Sequence, residues 1–340
     1  MSATRAPLAS GLCTSIGSLP HDDPDEAASF ILAHHPDLPA APELPRRSPR
    51  EGMVPRAAAA IPGVGVDDHG ALAVDAEAVE AAVVDGVPAV AAVEPGGDGG
   101  LLRFLEVVAG RTAPLKVQLT GPVTLALALV RAGVPARSAF AAASDGVMAR
   151  GRAVLDHVAR RAPEAPVVVF LDEPSLIAVA HPGFPIAPHA VIDLLTAALA
   201  SLHGAAATGV HCCGPTDWNV VLEAGPDVLS LPVPFAAGLD PGALATFLAG
   251  GGWVAWGAVP TDAPVSDDVS FLWRRLLGVW SDLVRGGCPS LPLRERALIT
   301  PACGLAGHGR TQAERTLALV AQLGDRVREQ ATSRRLTIGA

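Results

Sequence analysis

One histidine and two cysteines have the types and the spacing that could bind a transition metal. His211 and Cys213 close a short apolar run that predicts a β-strand, and Cys303 follows the last run of that kind in the chain. Because side chains alternate across a strand, His211 and Cys213 would share one face while Cys212 points to the other. One imidazole and two thiolates suit Zn²⁺ better than Mg²⁺ or Ca²⁺. The three side chains therefore predict a zinc site, although buried free cysteines also occur simply as small core residues.

Three protein ligands would leave one coordination position of the zinc open, which is typical of catalytic sites rather than structural ones. A thiol that entered this position would lose its proton, because Zn²⁺ stabilises the thiolate. The two cysteine thiolates already balance the double charge of the metal, so an added thiolate stays electron-rich. The predicted chemistry is the activation of a sulfur atom for attack on carbon.

These residues follow predicted strands, and the pattern of strands predicts the fold. Short apolar or β-branched runs alternate with helical periodicity along most of the chain, which is typical of βα units. Eight strands are predicted, at residues 12–16, 38–42, 115–119, 167–171, 208–211, 227–231, 253–257 and 297–300. Eight βα units predict an α/β fold with a single (β/α)₈ TIM barrel, in which chemistry lies at the carboxyl ends of the strands.

The organisation predicted for the chain is one catalytic barrel over residues 1–340. A long irregular loop is expected at about 43–75, where prolines and glycines are frequent, and a helix at 76–84. The glycine-rich run at 95–100 is expected to be a flexible joint too short to separate two domains. It matches no phosphate-binding or dinucleotide fingerprint.

Composition and charge exclude several classes of function. The chain has 340 residues, of which 50% are hydrophobic and 17% charged, so it can bury a large core. A net charge of −9 and a single lysine, Lys116, argue against a nucleic-acid partner. No apolar run approaches the roughly 18–20 residues of a membrane helix, and the first residues lack the apolar core of a secretory signal. We therefore expect a cytoplasmic protein with no membrane partner, whose five cysteines stay thiols.

Five short motifs resemble, in their order along the chain, those of the catalytic barrel of cobalamin-independent methionine synthase. They are residues 14–20 (TSIGSLP), 119–124 (LTGPVT), 171–174 (LDEP), 211–213 (HCC) and 300–305 (TPACGL). That barrel belongs with uroporphyrinogen decarboxylase in one superfamily, and this sequence is similar to its short, single-barrel form. The resemblance spans nearly the whole chain.

The resemblance implies a role for each candidate site residue. The zinc ligands of the family fall on the three residues named above, His211, Cys213 and Cys303. Residues that bind the amino-acid substrate fall on Ile16, Ser18, Glu43 and Asp172. The turn at 16–18 would hold the substrate carboxylate, and the two acidic residues would hold its ammonium group. These roles make chemical sense, because carboxylates pair with an ammonium group and a glycine-bearing turn can offer N–H groups to a carboxylate.

The implied activity is that of a zinc-dependent S-methyltransferase. The implied acceptor is homocysteine, which would become methionine, and the methyl donor is either a methyl-folate or a corrinoid protein. Other interpretations of the substrate residues are open at this point: Asp172 could cap a helix, Ser18 could be an ordinary turn residue, and Glu43 could be a solvated loop charge.

Three positions depart from the family that the sequence resembles. Pro232 stands where the family has a fourth zinc ligand, a glutamate, and Val259 where it has a histidine proposed to deliver a proton. Ala128 falls near the tryptophan on which the folate ring stacks. The sequence leaves open which donor is used, and whether Glu173 or Asp217 replaces the missing zinc ligand.

Two further functions are alternatives. The departures at Pro232 and Val259 suggest a barrel without turnover that binds a thiol ligand or a corrinoid protein. An enzyme like uroporphyrinogen decarboxylase would need arginines for the propionates of its substrate. Arg46, Arg47 and Arg50 could serve, but the zinc ligands would then have no purpose.

Overall fold

Six parallel strands in consecutive order form the central sheet. The computed structural model describes residues 8–264 and 268–337, with side chains through residue 331. The sheet contains β3 (Leu115–Thr120), β4 (Val167–Asp172), β5 (Ala207–His211), β6 (Val228–Pro232), β7 (Trp253–Val259) and β8 (Ala297–Pro301), and a separate hairpin contains β1 (Val64–Val66) and β2 (Leu72–Val74). The strands predicted from residue 115 onward are confirmed to within two residues.

Helices surround the sheet and connect its strands. In chain order they are α1 (Pro24–His34), α2 (Met53–Ala58), α3 (Ala76–Asp85), α4 (Pro95–Val107), α5 (Pro122–Arg131), α6 (Ala136–Arg161), α7 (Pro188–Leu202), α8 (Trp218–Glu223), α9 (Pro241–Ala249), α10 (Val269–Arg285), α11 (Ser290–Glu295) and α12 (Arg310–Thr337). Three short 3₁₀ helices lie at Pro49–Glu51, Pro174–Ala178 and Val233–Gly238. No helix in the described part of the chain is both long and apolar enough to cross a membrane.

Two extended segments lie where the first two strands were predicted. The first joins β8, because Thr14 N donates to the Ile299 carbonyl at 3.1 Å. The second joins β3, because Ala41 N donates to the Lys116 carbonyl at 2.8 Å. Both contacts are isolated bridges rather than ladders. The prediction of eight regular strands is thus met only in part, by six strands and two extended segments.

The prolines and glycines of these two segments explain why they form no regular ladder. Pro39 and Pro42 have no N–H to donate, so the second segment cannot continue its pairing with β3. Gly11 and Gly17, which flank the first segment, have φ of 75° and 145°, outside the range of a strand, so they limit its length. A bridge between Ser18 and Glu43 then joins the two segments to each other.

The sheet curls around an interior that changes from apolar to polar along the strands. One compact apolar cluster takes alternate residues from both extended segments and from five strands: Leu12, Leu38, Val168, Phe170, Ala207, Val228, Ala255 and Leu298. Two residues further along the same strands come Asp172, Ser230 and Thr300, all buried. The polar end of this interior coincides with the carboxyl ends of the strands, where chemistry is expected.

The segment at 43–75 is more ordered than predicted. Besides α2 it contains the β1–β2 hairpin, whose turn is closed by the Asp67 carboxylate accepting from His69 N at 2.8 Å and Ala71 N at 2.9 Å. Gly70, with φ of 78°, supplies the left-handed conformation that this turn requires. The prediction of an irregular loop was therefore wrong for much of its length, whereas the helix predicted at 76–84 is confirmed as α3.

The glycine-rich run at 95–100 is not a flexible joint. It forms the first turns of α4, which is kinked at Asp98, and residues 98–100 are buried. The Glu51 carboxylate accepts from Gly99 N at 3.1 Å and Gly100 N at 3.4 Å and so holds the kink in place. The buried ion pair between Asp98 and Arg150 of α6 fixes the same turn.

Candidate metal centre

His211, Cys213 and Cys303 converge at the carboxyl end of the sheet. His211 is the last residue of β5, and Cys303 follows the end of β8 by two residues. Their ligating atoms all lie within 4.8 Å of one another, close enough to share one ion. Among the described residues, this is the only group of at least three His, Cys, Asp or Glu side chains that lie close enough together to share an ion. Cys212 lies in the apolar core instead, as the alternation of side chains requires.

The imidazole of His211 is oriented by its neighbour on β6. Its Nδ1 lies 3.0 Å from the hydroxyl oxygen of Ser230, which is the partner of His211 in the strand register. Its Nε2 is buried and has no hydrogen-bond partner among the described residues. Burying a polar atom without a hydrogen-bond partner costs free energy. A role as a metal ligand is one reason for a protein to retain such an atom. One imidazole and two thiols are a donor set that fits a zinc ion, and the Nε2 of His211 is available to bind it. Ser230 orients this imidazole, a role that was not predicted from the sequence.

The two thiols of the group shift each other's pKa in opposite directions. A hydrogen bond from Cys303 lowers the pKa of Cys213 below its ordinary value. The same contact, together with burial, raises the pKa of Cys303 to about 12, although His211 opposes the rise. Of the two thiols, Cys213 is therefore the easier to deprotonate, and a divalent cation that bound both sulfurs would displace their protons.

Ser18 lies against the loop that carries Cys303. Leu305 N donates to the Ser18 carbonyl at 2.8 Å, and a Cβ added at Gly304 would lie 2.1 Å from the Ser18 hydroxyl. A side chain at Gly304 would collide with this hydroxyl, so the turn at 16–18 packs against the residues that directly follow Cys303.

Glu43 is buried beside the same turn and forms an ion pair. Glu43 N donates to the Gly17 carbonyl at 3.1 Å, and its carboxylate accepts from Arg56 of α2. Both side chains are buried, so the alternative of a solvated loop charge is wrong. Burial alone would lower the pKa of Arg56, but the carboxylates around it, Glu43 first, raise it. The ion pair of Arg56 with Glu43 was not predicted, because it depends on how α2 packs over the barrel.

Asp172 ends β4 and faces the interior. Its Oδ1 is buried without a hydrogen-bond partner among the described residues, and burial raises its pKa well above the ordinary value while Lys116 opposes the rise. The 3₁₀ helix at Pro174–Ala178 has no side-chain cap, so helix capping does not explain Asp172.

Lys116 of β3 occupies the barrel interior. Its Nζ donates to the Ile16 carbonyl at 2.7 Å and to Gln118 Oε1 at 3.2 Å, and lies 4.6 Å from the centre of the Phe170 ring. Burial lowers its pKa to about 8, against the opposing effect of Asp172 and Glu43. In the sequence this single lysine argued only against a basic surface. The signal for its buried role was its place in a strand whose other residues carry no charge.

Neither residue considered as a replacement ligand joins the metal group. The Glu173 carboxylate accepts from Val123 N at 2.8 Å and Thr124 N at 2.7 Å, at the start of α5. Asp217 caps α8 by accepting from Asn219 N at 3.0 Å. The two carboxylates stabilise helix starts instead.

The positions that depart from the resembled family offer no substitute chemistry. Pro232 ends β6 and Val259 ends β7, both are buried, and neither side chain can ligate a metal or transfer a proton. Ala128, in α5, presents no aromatic ring.

The three arginines considered for a decarboxylase each have an acceptor within the protein. Arg46 and Arg50 each donate to a backbone carbonyl at 2.8 Å. Arg47 forms an ion pair with Glu51. The structure therefore gives no support to a common propionate site formed by these side chains.

The curled parallel sheet, with its polar residues gathered at the strand ends, defines an α/β fold of the TIM-barrel type. No protein-family model matches the chain, and the comparison with curated proteins gives no match. Among solved structures it is similar to a methyltransferase from Methanosarcina mazei, at 17% identity over 94% of each chain with a TM-score of 0.53. It is also similar to a B12-independent methionine synthase from Shewanella sp. W3-18-1 solved with selenomethionine, at 15% identity with a TM-score of 0.56. That match covers 96% of this chain and 100% of the other. At these identities the likeness establishes the fold.

Proposed function

We propose that this protein is a zinc-dependent methyltransferase that moves a methyl group to the sulfur of a thiol. The observation that carries the proposal is the convergence of His211, Cys213 and Cys303 within 4.8 Å at the carboxyl end of the sheet. The names of the two structural neighbours, a methyltransferase and a methionine synthase, agree with chemistry of this class.

In this proposal the three side chains hold the zinc and leave one position for the acceptor thiol. When bound, the zinc would lower the pKa of that thiol, so that it reacts as a thiolate near neutral pH. The sulfur would form a bond to the methyl carbon while the bond between that carbon and the donor breaks, and the bonding electron pair would leave with the donor. A corrinoid would leave as cob(I)alamin and the thiol proton would pass to solvent, whereas the nitrogen of a folate would take up a proton as it leaves.

The turn at 16–18 would orient the acceptor beside the metal. Lys116 fixes the turn by donating to the Ile16 carbonyl at 2.7 Å, and Ser18 presents its hydroxyl next to the loop of Cys303. We propose that this turn binds the carboxylate of the acceptor. Homocysteine is the acceptor that the sequence resemblance implies, with Asp172 and Glu43 as the residues that would face its ammonium group.

The methyl donor is a methyl-folate or a methylated corrinoid. Ala128 in α5 provides no flat aromatic surface for a pterin ring, which favours a corrinoid donor. Donors of both classes belong in the assay.

A second candidate function is binding without turnover. The observation in its favour is that Pro232 and Val259 occupy the positions of a zinc ligand and a proton donor in the family that the sequence resembles. Such a protein would bind a thiol at the metal and transfer nothing.

A transfer assay separates the two candidates. The zinc-loaded full chain is incubated with homocysteine or short mercapto acids and with methylcobalamin or methyl-tetrahydrofolate, and S-methyl products are measured by mass spectrometry. We expect product with at least one donor, none after chelation of zinc or in Cys303→Ser, and unchanged product in the matched control Cys288→Ser. Thiol binding without product from any donor would contradict the proposal and favour the second candidate.

A further inference from the structure

Three loops meet on one side of the carboxyl end of the barrel. They are the turn at 16–18, the loop at 43–47 and the loop at 302–309, which we call the Cys303 loop. The first two follow the extended segments, which are joined to the sheet by isolated bridges, and the third follows β8. The Cys303 loop contains three glycines, which add conformational freedom. Strand pairing alone would therefore hold this side of the barrel mouth loosely.

Backbone hydrogen bonds join the three loops to one another. Leu19, the residue after the turn at 16–18, donates its N–H to the Glu43 carbonyl at 3.0 Å. On the other side, Leu305 of the Cys303 loop donates its N–H to the Ser18 carbonyl at 2.8 Å. The Leu305 side chain is buried and anchors this contact in the core. The turn that would bind the acceptor is thus bonded directly to the loop that carries a candidate metal ligand.

Two arginines fasten the far end of the Cys303 loop. Arg46 donates to the His308 carbonyl at 2.8 Å, and so joins the loop at 43–47 to the Cys303 loop. Arg310, which directly follows the Cys303 loop, forms ion pairs with Asp22 at 2.8 Å and with Glu26 at 2.5 Å. Both arginines are exposed, so each contact alone is weak. Together they hold the Cys303 loop against the loops beside it.

From these contacts we propose that a metal ion bound at Cys303 also fixes the turn at 16–18, with Arg46 and Arg310 as positioning residues. The other two candidate ligands lie at the end of β5, which is paired on both sides by continuous ladders. An ion shared with them would tie the Cys303 loop to the firmly paired part of the sheet, and the bonds between the loops would transmit this restraint to the turn. The inference rests on the proposed methyltransferase function and adds an order of binding, metal before acceptor.

The coupling has a consequence for both ligands. A coupling free energy between two sites is reciprocal, so an acceptor whose acid group occupies the turn would strengthen metal binding by the same factor. In the metal-free protein the turn would be less ordered, and part of the binding free energy of the acid group would be spent on ordering it. The protein would then bind its acceptor well only after it has acquired the metal.

Hydrogen exchange of the full chain with and without zinc tests the coupling. We expect zinc to slow exchange of the amides of Leu19, Glu43 and Leu305 by at least about tenfold, because these amides make bonds between or beside the loops that the metal would restrain. Zinc also stabilises the native state as a whole, so the partly exposed β1–β2 hairpin, which contains none of the three loops, serves as the internal reference. Its exchange should change by less than about twofold.

A double variant, Arg46→Gln with Arg310→Gln, tests the two arginines. We expect zinc to slow the same amides by about threefold or less in this variant, because the Cys303 loop can then open without carrying its neighbours. The matched control is Arg50→Gln with Arg285→Gln, which removes one exposed arginine–carbonyl bond and one exposed ion pair outside the three loops. A general loss of stability would affect the hairpin as well, whereas loss of coupling would not. If the folded double variant keeps the full effect of zinc, the two arginines are not positioning residues.

The outcomes separate this inference from the function on which it rests. Competition with a chromogenic chelator establishes whether zinc binds. Zinc that binds without slowing the three amides of the wild type would overturn the coupling and leave the methyltransferase proposal standing. If zinc does not bind, the proposed function fails and the coupling falls with it.

Discussion

The two ring nitrogens of His211 have different surroundings, and this difference determines which of them can bind a metal. Nδ1 is 3.0 Å from the Ser230 hydroxyl, whereas Nε2 is buried without a partner among the described residues. When Ser230 accepts from Nδ1–H, the lone pair of the imidazole is on Nε2 and faces the thiols. Ser230 is a positioning residue in this arrangement, because it would act on a bound metal only through His211.

Removal of the Ser230 hydroxyl should weaken zinc binding. We expect Ser230→Ala to lower zinc affinity by about 10- to 100-fold, the usual effect of losing the partner that orients a ligating histidine. Competition with a chromogenic chelator measures the affinity. Ser230→Thr keeps the hydroxyl and is the matched control. Equal affinity in Ser230→Ala and the wild type would show that this hydrogen bond does not orient the ligand.

Residue types predicted the metal group, but tertiary contacts determined its surroundings. His211, Cys213 and Cys303 stood out because such side chains are uncommon at strand ends, and alternation alone placed Cys212 on the other side. No spacing rule connects Arg56 to Glu43, because their pairing depends on how α2 folds over the barrel. The partners of buried charges are set by packing that a single sequence does not display.

At the scale of elements, Glu173 connects the end of β4 to the start of α5. Its buried carboxylate accepts from two backbone N–H groups and from the Thr124 hydroxyl at 2.6 Å. Burial nevertheless raises its pKa from 4.5 to about 7, because these hydrogen bonds only partly offset the lost hydration. The native state therefore binds the proton more tightly than the unfolded state does.

The raised pKa of Glu173 predicts that the free energy of unfolding depends on pH. Between about pH 4.5 and 7 the native state holds more protons at this site, so its contribution to the free energy of unfolding falls as the pH rises. We expect the wild type to lose about 2–3 kcal/mol relative to Glu173→Gln across this range, measured by urea unfolding at several pH values. A difference that is constant with pH would show that the pKa of Glu173 is not raised.

The strands that were predicted well differ physically from those that were not. β3 to β6 are buried along their whole length, and most of their residues are apolar or β-branched, as is typical of parallel sheets. The hairpin of β1 and β2 is short and half-exposed, so its residues resemble those of a loop. The two extended segments have the apolar pattern of strands, but their glycines and prolines prevent a ladder.

The two extended segments, which lie between β8 and β3, are paired with the sheet less extensively than its six strands are paired with each other. β3 to β8 are joined by continuous ladders, whereas the segments around Cys13 and Ala40 are joined by isolated bridges. The turn that would bind the acceptor lies between these bridges. The proposed catalytic end of the barrel thus combines candidate metal ligands at the ends of regular strands with a proposed substrate turn that is held by isolated bridges.

Hydrogen exchange should reveal this division. We expect the amides of Thr14 and Ala41 to exchange at least about tenfold faster than those at the centre of β4 and β5, because an isolated bridge opens without disturbing a ladder. Mass spectrometry of peptides from the native protein measures the rates. Equal protection in both regions would indicate a regular eight-stranded barrel in solution.

The decisive measurement is the zinc content of the protein and of two cysteine variants, each purified with excess zinc. We expect about one zinc per chain in the wild type and in Cys212→Ser, whose side chain lies in the core, and a large loss in Cys213→Ser. Circular dichroism establishes that each variant is folded. A wild type without zinc, or a folded Cys213→Ser that holds as much zinc as the wild type, would show that His211, Cys213 and Cys303 do not form a zinc site.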